Sequence, residues 1–286
     1  MTLIRVALPT SILNVEFTPL LKAIRVHQVA RWTSIFGVHE VVFYREPTTG
    51  HAEFQEHEKF IKAYWNYFFT PPYLRKLLIP PNPILKYVGA LPPIRLEAFN
   101  VSKKPKTGEI RVGFVYRDSG SVLRAHIGGS APYLVVNNCE EGLRALRVVS
   151  SERRSVECVD KPVYLGPRLV FHSSLLGVLK RARDTSDYVI ATDRKGSVPS
   201  SSDVLKLCGC DVTILFGSPK YDLFEIAQQE HASLEEYVDQ VWNVVPGQRV
   251  VSVRTEEALI IALGVINALL NLCGENMRSY FKKGAV

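Results

Sequence analysis

The sequence predicts an α/β fold with a parallel sheet, interrupted by a small β-barrel insert. Strand and helix patterns alternate in the N-terminal quarter and again after Leu169, an order typical of parallel sheets. Between them, residues 95–167 contain several short strand patterns separated by turn signals, which indicates a small barrel. We therefore predict an α/β domain formed by residues 1–93 and 168–286, and a barrel domain formed by residues 94–167.

The first α/β stretch contains two predicted strands and two predicted helices. Residues 5–9 and 38–44 are rich in β-branched and aromatic residues, as strands are. Residues 18–36 and 51–67 have helical spacing, and Thr18 followed by Pro19 is typical of a helix start. The predicted inward residues are Leu20, Leu21, Ile24, Val29, Trp32 and Ile35 of the first helix, and Phe54, Phe60, Ile61, Tyr64 and Trp65 of the second.

The middle of the chain has a different pattern. Seven prolines punctuate residues 71–93, so long regular elements are not expected there. The five barrel strands are predicted at residues 109–116, 121–126, 133–136, 145–149 and 156–159.

The α/β pattern returns in the C-terminal part. Helices are predicted at residues 174–182, 200–207 and 234–241, and strands at residues 187–192 and 212–217. Ser233 and Glu236 have the spacing of a capping box for the third of these helices. A Pro-Gly turn at Pro246 then leads to an acidic helix start and an apolar helix.

The length of the apolar helix after Ala258 decides whether it is expected to cross a membrane. Its longest charge-free run, residues 258–270, is shorter than the ~18 residues that a spanning helix needs. We therefore expect a buried or interface helix and no membrane partner. The N-terminus lacks the features of a secretory signal, so a cytoplasmic location is expected.

Charge and cysteine content narrow the function classes further. The net charge is +7, and residues 95–161 contribute 12 Lys+Arg against 8 Asp+Glu, an excess that suits a phosphate-rich partner. The odd number of cysteines, 5, argues against a disulfide framework, and we expect buried thiols and no metal site. His51 and His57 do not share a helical face, so they are interpreted as surface residues.

Common nucleotide and hydrolase motifs are missing from the sequence. It contains no GxGxxG after a strand, no GxxxxGK[ST], no GxSxG and no HExxH. What remains are three segments, residues 191–196, 216–220 and 243–255, which follow apolar strands or helices. Since ligands bind beyond the carboxyl ends of parallel strands, these segments can form one pocket or can simply be turns.

The same three segments resemble a known family. Residues 190–196 (IATDRKG), 214–219 (ILFGSP) and 243–259, with its core RTEEAL, are similar to the SPOUT class of S-adenosylmethionine-dependent RNA methyltransferases. More narrowly, the chain resembles the archaeal and eukaryotic family of RNA methyltransferases that carries a β-barrel insert, here expected to be OB-like. The resemblance covers essentially the whole chain and is most specific in its last third.

The resemblance implies a trefoil-knotted domain that binds S-adenosylmethionine and releases S-adenosylhomocysteine. It also implies a homodimer with the active site at the subunit interface, where the apolar helix after Ala258 would take part. The cofactor contacts implied by the resemblance fall on Thr192, Gly217, Val245, Pro246, Gly247, Ser252, Val253, Arg254, Thr255 and Ala258. Most of these contacts are expected to be main-chain, and Val244, Val245, Val251 and Val253 would line an adenine slot.

The candidate catalytic residues are Arg254 and Glu257. An RNA N–H or ribose hydroxyl must lose a proton, so a base, or a cation beside the developing anion, assists the reaction. Arg254 is expected to orient the acceptor or a phosphate, and Asp193 and Arg194 are further candidates. The alternatives are that Arg254 pairs with Glu256 or Glu257, and that Glu257 serves the helix N-terminus.

RNA contact is expected mainly from the insert. Basic side chains neutralise phosphates and aromatic rings stack on bases. Candidate RNA-binding residues are Lys103, Lys104, Lys106, Arg111, Arg117, Arg124 and Arg194, with Phe114, Tyr116 and Tyr133 interleaved. Many members of the family that the chain resembles carry Thr-Ser-Glu-Arg-Gly where this chain has residues 192–196 (TDRKG), so Arg194 replaces an acid and the role of that acid is not carried over.

The function predicted from these patterns is methyl transfer from S-adenosylmethionine to structured RNA, either ribosomal or transfer RNA. Two alternatives remain open at this point. The chain could be a non-catalytic RNA-binding or ribosome assembly factor that keeps the fold, or an α/β enzyme that uses another nucleotide-like cofactor. The methylated atom is not predicted.

Overall fold

The computed structural model describes the backbone of residues 3–283 and their side chains, except those of residues 201, 204–205, 269 and 271–283. The chain divides into two compact units. One, the α/β unit, is formed by Met1–Tyr64 together with Gly166–Val286, and the other, the barrel unit, by Trp65–Leu165.

The strands are numbered in chain order: β1 (Ile4–Pro9), β2 (Glu40–Tyr44), β3 (Ile110–Arg117), β4 (Leu123–His126), β5 (Tyr133–Val135), β6 (Gly142–Ser150), β7 (Ser155–Cys158), β8 (Arg168–His172), β9 (Tyr188–Ser197), β10 (Val212–Leu215) and β11 (Gln240–Trp242). The helices are α1 (Pro19–Ile35), α2 (His51–Phe69), α3 (Arg75–Leu78), α4 (Leu175–Thr185), α5 (Ser201–Leu207), α6 (Leu223–Gln229) and α7 (Thr255–Lys283). Short 3-10 helices, including Pro83–Ala90, occupy the proline-rich stretch, as its composition predicts.

The α/β unit is built on a six-stranded sheet in the order β11-β9-β10-β1-β2-β8, in which all neighbouring strands are parallel. The predicted class is therefore confirmed. Val6, Ala7 and Leu8 of β1 are fully buried, because both faces of a parallel sheet are covered by helices. Since the strands are parallel, the segments that leave β9, β10 and β11 emerge at one edge of the sheet.

Helix α1 begins as the sequence predicts, but its buried face is predicted only in part. The Thr18 side chain accepts a hydrogen bond from the Leu21 N–H, and Pro19 occupies the first helical position. Of the residues predicted to face inward, Val29 is buried and Leu20, Ile24 and Trp32 are partly buried, whereas Leu21 and Ile35 are 40% and 57% exposed. The buried residues are Ala23, Arg25, Val26, His27, Val29, Ala30 and Thr33. Apolar residues occur on more than one side of this helix, so spacing alone did not identify the whole buried side.

The barrel unit contains the five strands that the sequence predicts, closed in the order β3-β4-β5-β7-β6. The pairs are antiparallel except β5 with β7, which is parallel. The core consists of Ile127, directly after β4, and of alternating strand residues: Val115, Ala125, Tyr133, Val135, Leu146, Val148 and Val156. Each observed strand overlaps its predicted range, because alternation in a small barrel is a direct consequence of the inside–outside pleat.

Three elements of the C-terminal part differ from the prediction. Residues 234–241 are not a helix: a 3-10 turn at Leu234–Glu236 precedes β11. Ser233 makes no cap hydrogen bond, and its hydroxyl instead donates to the Glu235 carboxylate. Pairing of β11 with β9 outweighs the local capping pattern here. The sequence pattern also missed β8 and α6.

The predictions for cysteine and histidine also need correction. Cys139 and Cys158 form a disulfide with Cα atoms 5.8 Å apart, because barrel closure brings together two positions 19 residues apart. Cys210 is a free, half-buried thiol. His57, predicted at the surface, is buried, and this burial lowers its pKa.

Within residues 3–283, none of the helices combines the length and the apolar character that crossing a membrane requires.

The close approach of β9 and β11 gives a test of the fold. A Cβ atom at Gly196 would lie 2.7 Å from the Val241 carbonyl oxygen and 2.8 Å from the Trp242 carbonyl carbon. Gly196→Ala should therefore lower the free energy of unfolding by about 1–3 kcal/mol in a denaturant titration. Gly264→Ala in α7 is the control, since its Cβ would be 3.9 Å from Phe36, and no loss is expected there. Equal losses in both variants would contradict the β9–β11 packing.

Candidate functional site

Three segments of the α/β unit enclose one cavity of about 390 Å³. The first segment is residues 192–195, the second is residues 216–222 after β10, and the third is residues 243–258 between β11 and the first turn of α7. The first segment, predicted as a loop, is the second half of β9, which extends beyond its partner β10. The cavity therefore lies at the carboxyl edge of the sheet, where α/β folds bind ligands.

Most of the residues that the resemblance assigned to a cofactor line this cavity: Thr192, Gly217, Val245, Ser252, Val253, Thr255 and Ala258. Val244 and Val251, expected in an adenine slot, line it as well. Pro246, Gly247 and Arg254 belong to the third segment but are not part of the lining. Gly247 has a φ of 69°, so it shapes the turn that carries its neighbours.

Threonine hydroxyls connect the segments to one another. The Thr192 hydroxyl donates to the Leu215 carbonyl oxygen at 2.9 Å, and the Thr255 hydroxyl donates to the Gly217 carbonyl oxygen at 2.9 Å. The Asn243 side-chain amide donates to the Arg194 carbonyl oxygen at 2.9 Å. Each segment is thus bonded to another through a main-chain oxygen, which fixes the shape of the cavity.

Close packing behind the second segment requires a glycine at position 217. A Cβ atom added at Gly217 would lie 3.1 Å from the Tyr221 carbonyl oxygen, so a larger residue would force the segment to move. The buried Tyr44 hydroxyl donates to the Phe216 carbonyl oxygen at 2.7 Å and supports the same segment from β2. Burial raises the pKa of Tyr44 well above its usual value, which keeps this hydroxyl a donor.

The rim of the cavity carries charges of both signs. Asp193, Asp222 and Glu225 supply carboxylates, and Arg194, Lys195 and Lys220 supply cations. Lys195 forms an ion pair with Asp222 at 3.3 Å, which joins the first and second segments. Asp222 and Glu225 form a capping box that begins α6. Of these rim residues, the sequence pattern identified only Asp193 and Arg194 as candidates. A single charged residue after a strand does not by itself indicate a binding site.

The third segment is anchored by a buried ion cluster. Arg25 of α1 pairs with Glu16 and with Glu256, and none of the three side chains is more than 9% exposed. Glu256 is in the first turn of α7, directly beyond the cavity wall. Burial raises the pKa of Glu256, and the Arg25 guanidinium acts against that rise.

Arg254 and Glu257, the candidate catalytic residues, have different surroundings. The Glu257 carboxylate accepts a hydrogen bond from the Arg254 N–H at 2.9 Å, which matches the helix N-terminal alternative. The Arg254 guanidinium forms an ion pair with the Glu16 carboxylate at 3.6 Å. The alternative considered from the sequence was a pair with Glu256 or Glu257 instead. The Arg254 guanidinium is 60% exposed, so it can reach a ligand outside the cavity.

The candidate RNA-binding residues of the barrel unit divide into exposed and buried ones. Lys103, Lys104, Lys106 and Arg117 are exposed, and Arg124 is partly exposed. Arg111 is 2% exposed, donates to the Ile127 and Ser102 carbonyl oxygens and pairs with Glu109, so its guanidinium is used within the unit. Tyr133 is a core residue. The expectation that Arg111 and Tyr133 contact RNA is therefore corrected.

The lysine-bearing loop of the barrel unit is held by Glu109. Its carboxylate accepts hydrogen bonds from the Ser102 N–H and the Lys106 N–H, and it pairs with Arg111. Partial burial would raise the pKa of Glu109, but these donors outweigh it and lower that pKa to about 2. Glu109 thus presents Lys103, Lys104 and Lys106 on an ordered turn.

Within the described residues, His, Cys, Asp and Glu side chains form no cluster of three or more that could hold a metal ion. The fold and the cavity define an α/β protein with a cavity at the carboxyl edge of a parallel sheet.

Comparison with known proteins specifies this class further. The chain belongs to the sequence family described as "Putative RNA methyltransferase", which matches residues 3–266. A protein of Halobacterium salinarum is 31% identical over 259 residues, which covers 82% of this chain and 88% of that protein. The human 28S rRNA (uridine-N(3))-methyltransferase is 27% identical over 298 residues, which covers 91% of this chain and 77% of that protein. A protein of Schizosaccharomyces pombe named "Putative methyltransferase" is 30% identical over 125 residues, 40% of this chain and 38% of its own length. The predicted enzyme class, RNA methyltransferase, is thereby confirmed.

The buried ion cluster gives a prediction for stability. Arg25→Met would leave Glu256 buried without its ion-pair partner and Glu16 with only the exposed Arg254, which should cost about 3–5 kcal/mol of unfolding free energy. Without the cation, the folded-state pKa of Glu256 would rise further above its unfolded value. The penalty is then absent below the unfolded pKa and grows as pH rises through the folded pKa, so the loss should be larger at pH 8 than at pH 5.

Urea denaturation at the two pH values measures both effects. Arg31→Met is the matched control, because Arg31 lies on the same helix and is exposed. A loss for Arg25→Met no larger than that for Arg31→Met, or one that does not depend on pH, would contradict the role assigned to the cluster.

Proposed function

We propose that the protein transfers a methyl group from S-adenosylmethionine to structured RNA, using a SPOUT-type knotted α/β domain with an OB-like barrel insert. The observation that carries this proposal is the meeting of the three predicted segments around one cavity. Family membership supports the methyl-transfer class, and the three segments are those that carry the resemblance to SPOUT enzymes.

The cavity suits S-adenosylmethionine in size and chemistry. Its volume of about 390 Å³ falls in the range of drug-sized ligand pockets. The valines of the third segment offer an apolar slot for the adenine, and main-chain groups near Gly217 and Val245 can hold its edge. The rim carboxylates Asp222 and Glu225 suit the sulfonium and amino groups, and Lys195 or Lys220 suits the carboxylate.

When bound, the cofactor supplies a methyl group on a positively charged sulfur. Transfer to an RNA nitrogen forms the N–C bond, breaks the S–C bond and sends the proton to a base or to water. The chain must then bind both reactants, align them and stabilise the charge that develops on the acceptor. The ordered segments serve the first two tasks.

Arg254 is assigned to the third task. A half-exposed guanidinium, held by Glu16 beside the cavity wall, can stabilise an anionic acceptor or bind a neighbouring phosphate. Glu257 is a weaker candidate for catalysis because its carboxylate already caps α7.

The RNA assignment draws on the barrel unit and on the human relative. The strand order of the barrel, with the third and fifth strands parallel, supports an OB-like fold, a class that often binds oligonucleotides. The name of the human relative favours ribosomal RNA as the substrate and the N3 atom of a uridine as the acceptor. The exposed lysines Lys103, Lys104 and Lys106 would contact phosphates.

We also propose a homodimer. Phe17, Leu21 and Ile35 are 94%, 40% and 57% exposed in the single chain, and α1 packs against α7, the helix expected at the interface. A second subunit that covers these side chains would remove apolar surface from water.

Cofactor binding and catalysis can be tested separately. Calorimetric titration with S-adenosylhomocysteine should show one site per subunit, and no heat at millimolar ligand would contradict the cofactor assignment. Arg254→Ala should lower methyl transfer to total cellular RNA by about a hundredfold. Its affinity for S-adenosylhomocysteine should be largely unchanged, because Arg254 does not line the cavity.

Arg249→Ala provides the matched control, since Arg249 is an exposed arginine of the same segment that does not line the cavity. This variant should keep both S-adenosylhomocysteine binding and methyl transfer. Loss of cofactor affinity in Arg254→Ala would show that Arg254 belongs to the cofactor site. Cofactor binding without methyl transfer by the wild type would favour the alternative of an RNA-binding or ribosome assembly factor.

A further inference from the structure

The outer surface of the barrel unit carries an aromatic pair that the proposed chemistry at the cavity does not use. Tyr116 of β3 and His126 of β4 stack with ring centroids 5.1 Å apart and an angle of 11° between their planes. Both rings are half-buried, so part of each is open to solvent. A nearly parallel stacked pair at a surface presents a flat face of the size of a nucleobase.

Strand alternation explains why these rings point outward. Val115 and Ala125, their chain neighbours, are fully buried in the barrel core. Because successive side chains of a strand point to opposite faces, residues 114, 116, 124 and 126 lie on the outside. A Cβ atom added at Gly113 would contact the core residues Leu146 and Ile127, so odd-numbered residues of β3 face the core and even-numbered ones face outward.

The strand register extends the pair into a surface. Tyr116 lies opposite Arg124, and Arg124 lies opposite Leu134, while Phe114 lies between His126 and Leu143. We call this surface the outer barrel face and define it by its six residues: Phe114, Tyr116, Arg124, His126, Leu134 and Leu143. It combines aromatic and aliphatic groups with one guanidinium.

The charge around this face favours a nucleic acid over an apolar partner. Arg124, directly opposite Tyr116, is held by Asp118 at 2.6 Å and remains 40% exposed. Residues 95–161 carry a net charge of +4 (12 Lys+Arg against 8 Asp+Glu). An aromatic face beside an arginine is an arrangement by which proteins stack and hold unpaired bases.

We propose that the outer barrel face binds an unpaired segment of RNA, with a base stacked on the Tyr116–His126 pair and a phosphate near Arg124. The proposal rests on the proposed function, because it assumes that the substrate is RNA. It adds that recognition needs a single-stranded segment of the RNA substrate. In OB-like barrels the second and third strands form such a face, and here these strands are β4 and β5.

The test uses a fluorescein-labelled oligouridylate of about ten nucleotides, within the range of about 4–16 that one OB fold covers. A second oligonucleotide has the same backbone but abasic central positions. In anisotropy titrations at fixed salt, the wild type should bind the intact oligonucleotide about tenfold more tightly than the abasic one. Tyr116→Leu should lose this tenfold preference, whereas Tyr116→Phe should keep it.

Tyr164→Leu is the matched control, an exposed tyrosine of the same unit that lies outside the outer barrel face. It should leave the preference unchanged. If thermal unfolding shows that Tyr116→Leu does not fold, His126→Leu takes its place. The proposal would be overturned if Tyr116→Leu still prefers the intact oligonucleotide to the abasic one. It would also be overturned if this variant lowers the affinity for both oligonucleotides by the same factor.

The outcomes separate this proposal from the function on which it rests. Wild-type protein that binds neither oligonucleotide nor a hairpin RNA would contradict the RNA substrate itself. Binding of RNA with no preference for intact bases would overturn the stacking proposal alone. A change in sedimentation, instead of RNA affinity, on Tyr116→Leu would assign the face to protein contact and also overturn the proposal.

Discussion

The buried ion cluster of Glu16, Arg25 and Glu256 is the constraint on which the candidate site depends. Arg25 comes from α1, whereas Glu256 begins α7, more than 200 residues later in the chain. Burying these charges is costly unless each finds its partner, so the start of α7 can occupy one position only. That position fixes the third wall of the cavity and sets Arg254 beside Glu16. The threonine hydrogen bonds to Leu215 and Gly217 then align the other two segments with it.

The cluster also explains why the site is assembled from distant parts of the sequence. The cavity has walls from β9, from the segment after β10 and from the start of α7, and its shape depends on a helix near the N-terminus. The buried charges and the threonine hydroxyls hold the main-chain groups of these walls in place. The Lys195–Asp222 ion pair adds a further link between the first and second segments at the rim.

The sequence predicted the fold well where local chemistry and tertiary structure agree. The parallel sheet, the five barrel strands and the Thr18–Pro19 helix start follow from alternation, spacing and capping. The predictions failed where distant residues decide: β11 forms because β9 pairs with it, and Cys139 meets Cys158 only when the barrel closes. The same applies to the site. The Pro246–Gly247 turn was visible in the sequence, but the anchoring of its segment by Arg25 was not, because spacing says nothing about partners 231 residues apart.

We propose that three separate segments form a single ligand site. Hydrogen exchange of the wild-type protein, followed by mass spectrometry with and without S-adenosylhomocysteine, measures whether they respond together. The ligand should slow exchange together in residues 191–197, 216–222 and 243–258, and should leave residues 101–160 unchanged. Protection confined to one of the three segments, or found mainly in the barrel unit, would contradict it.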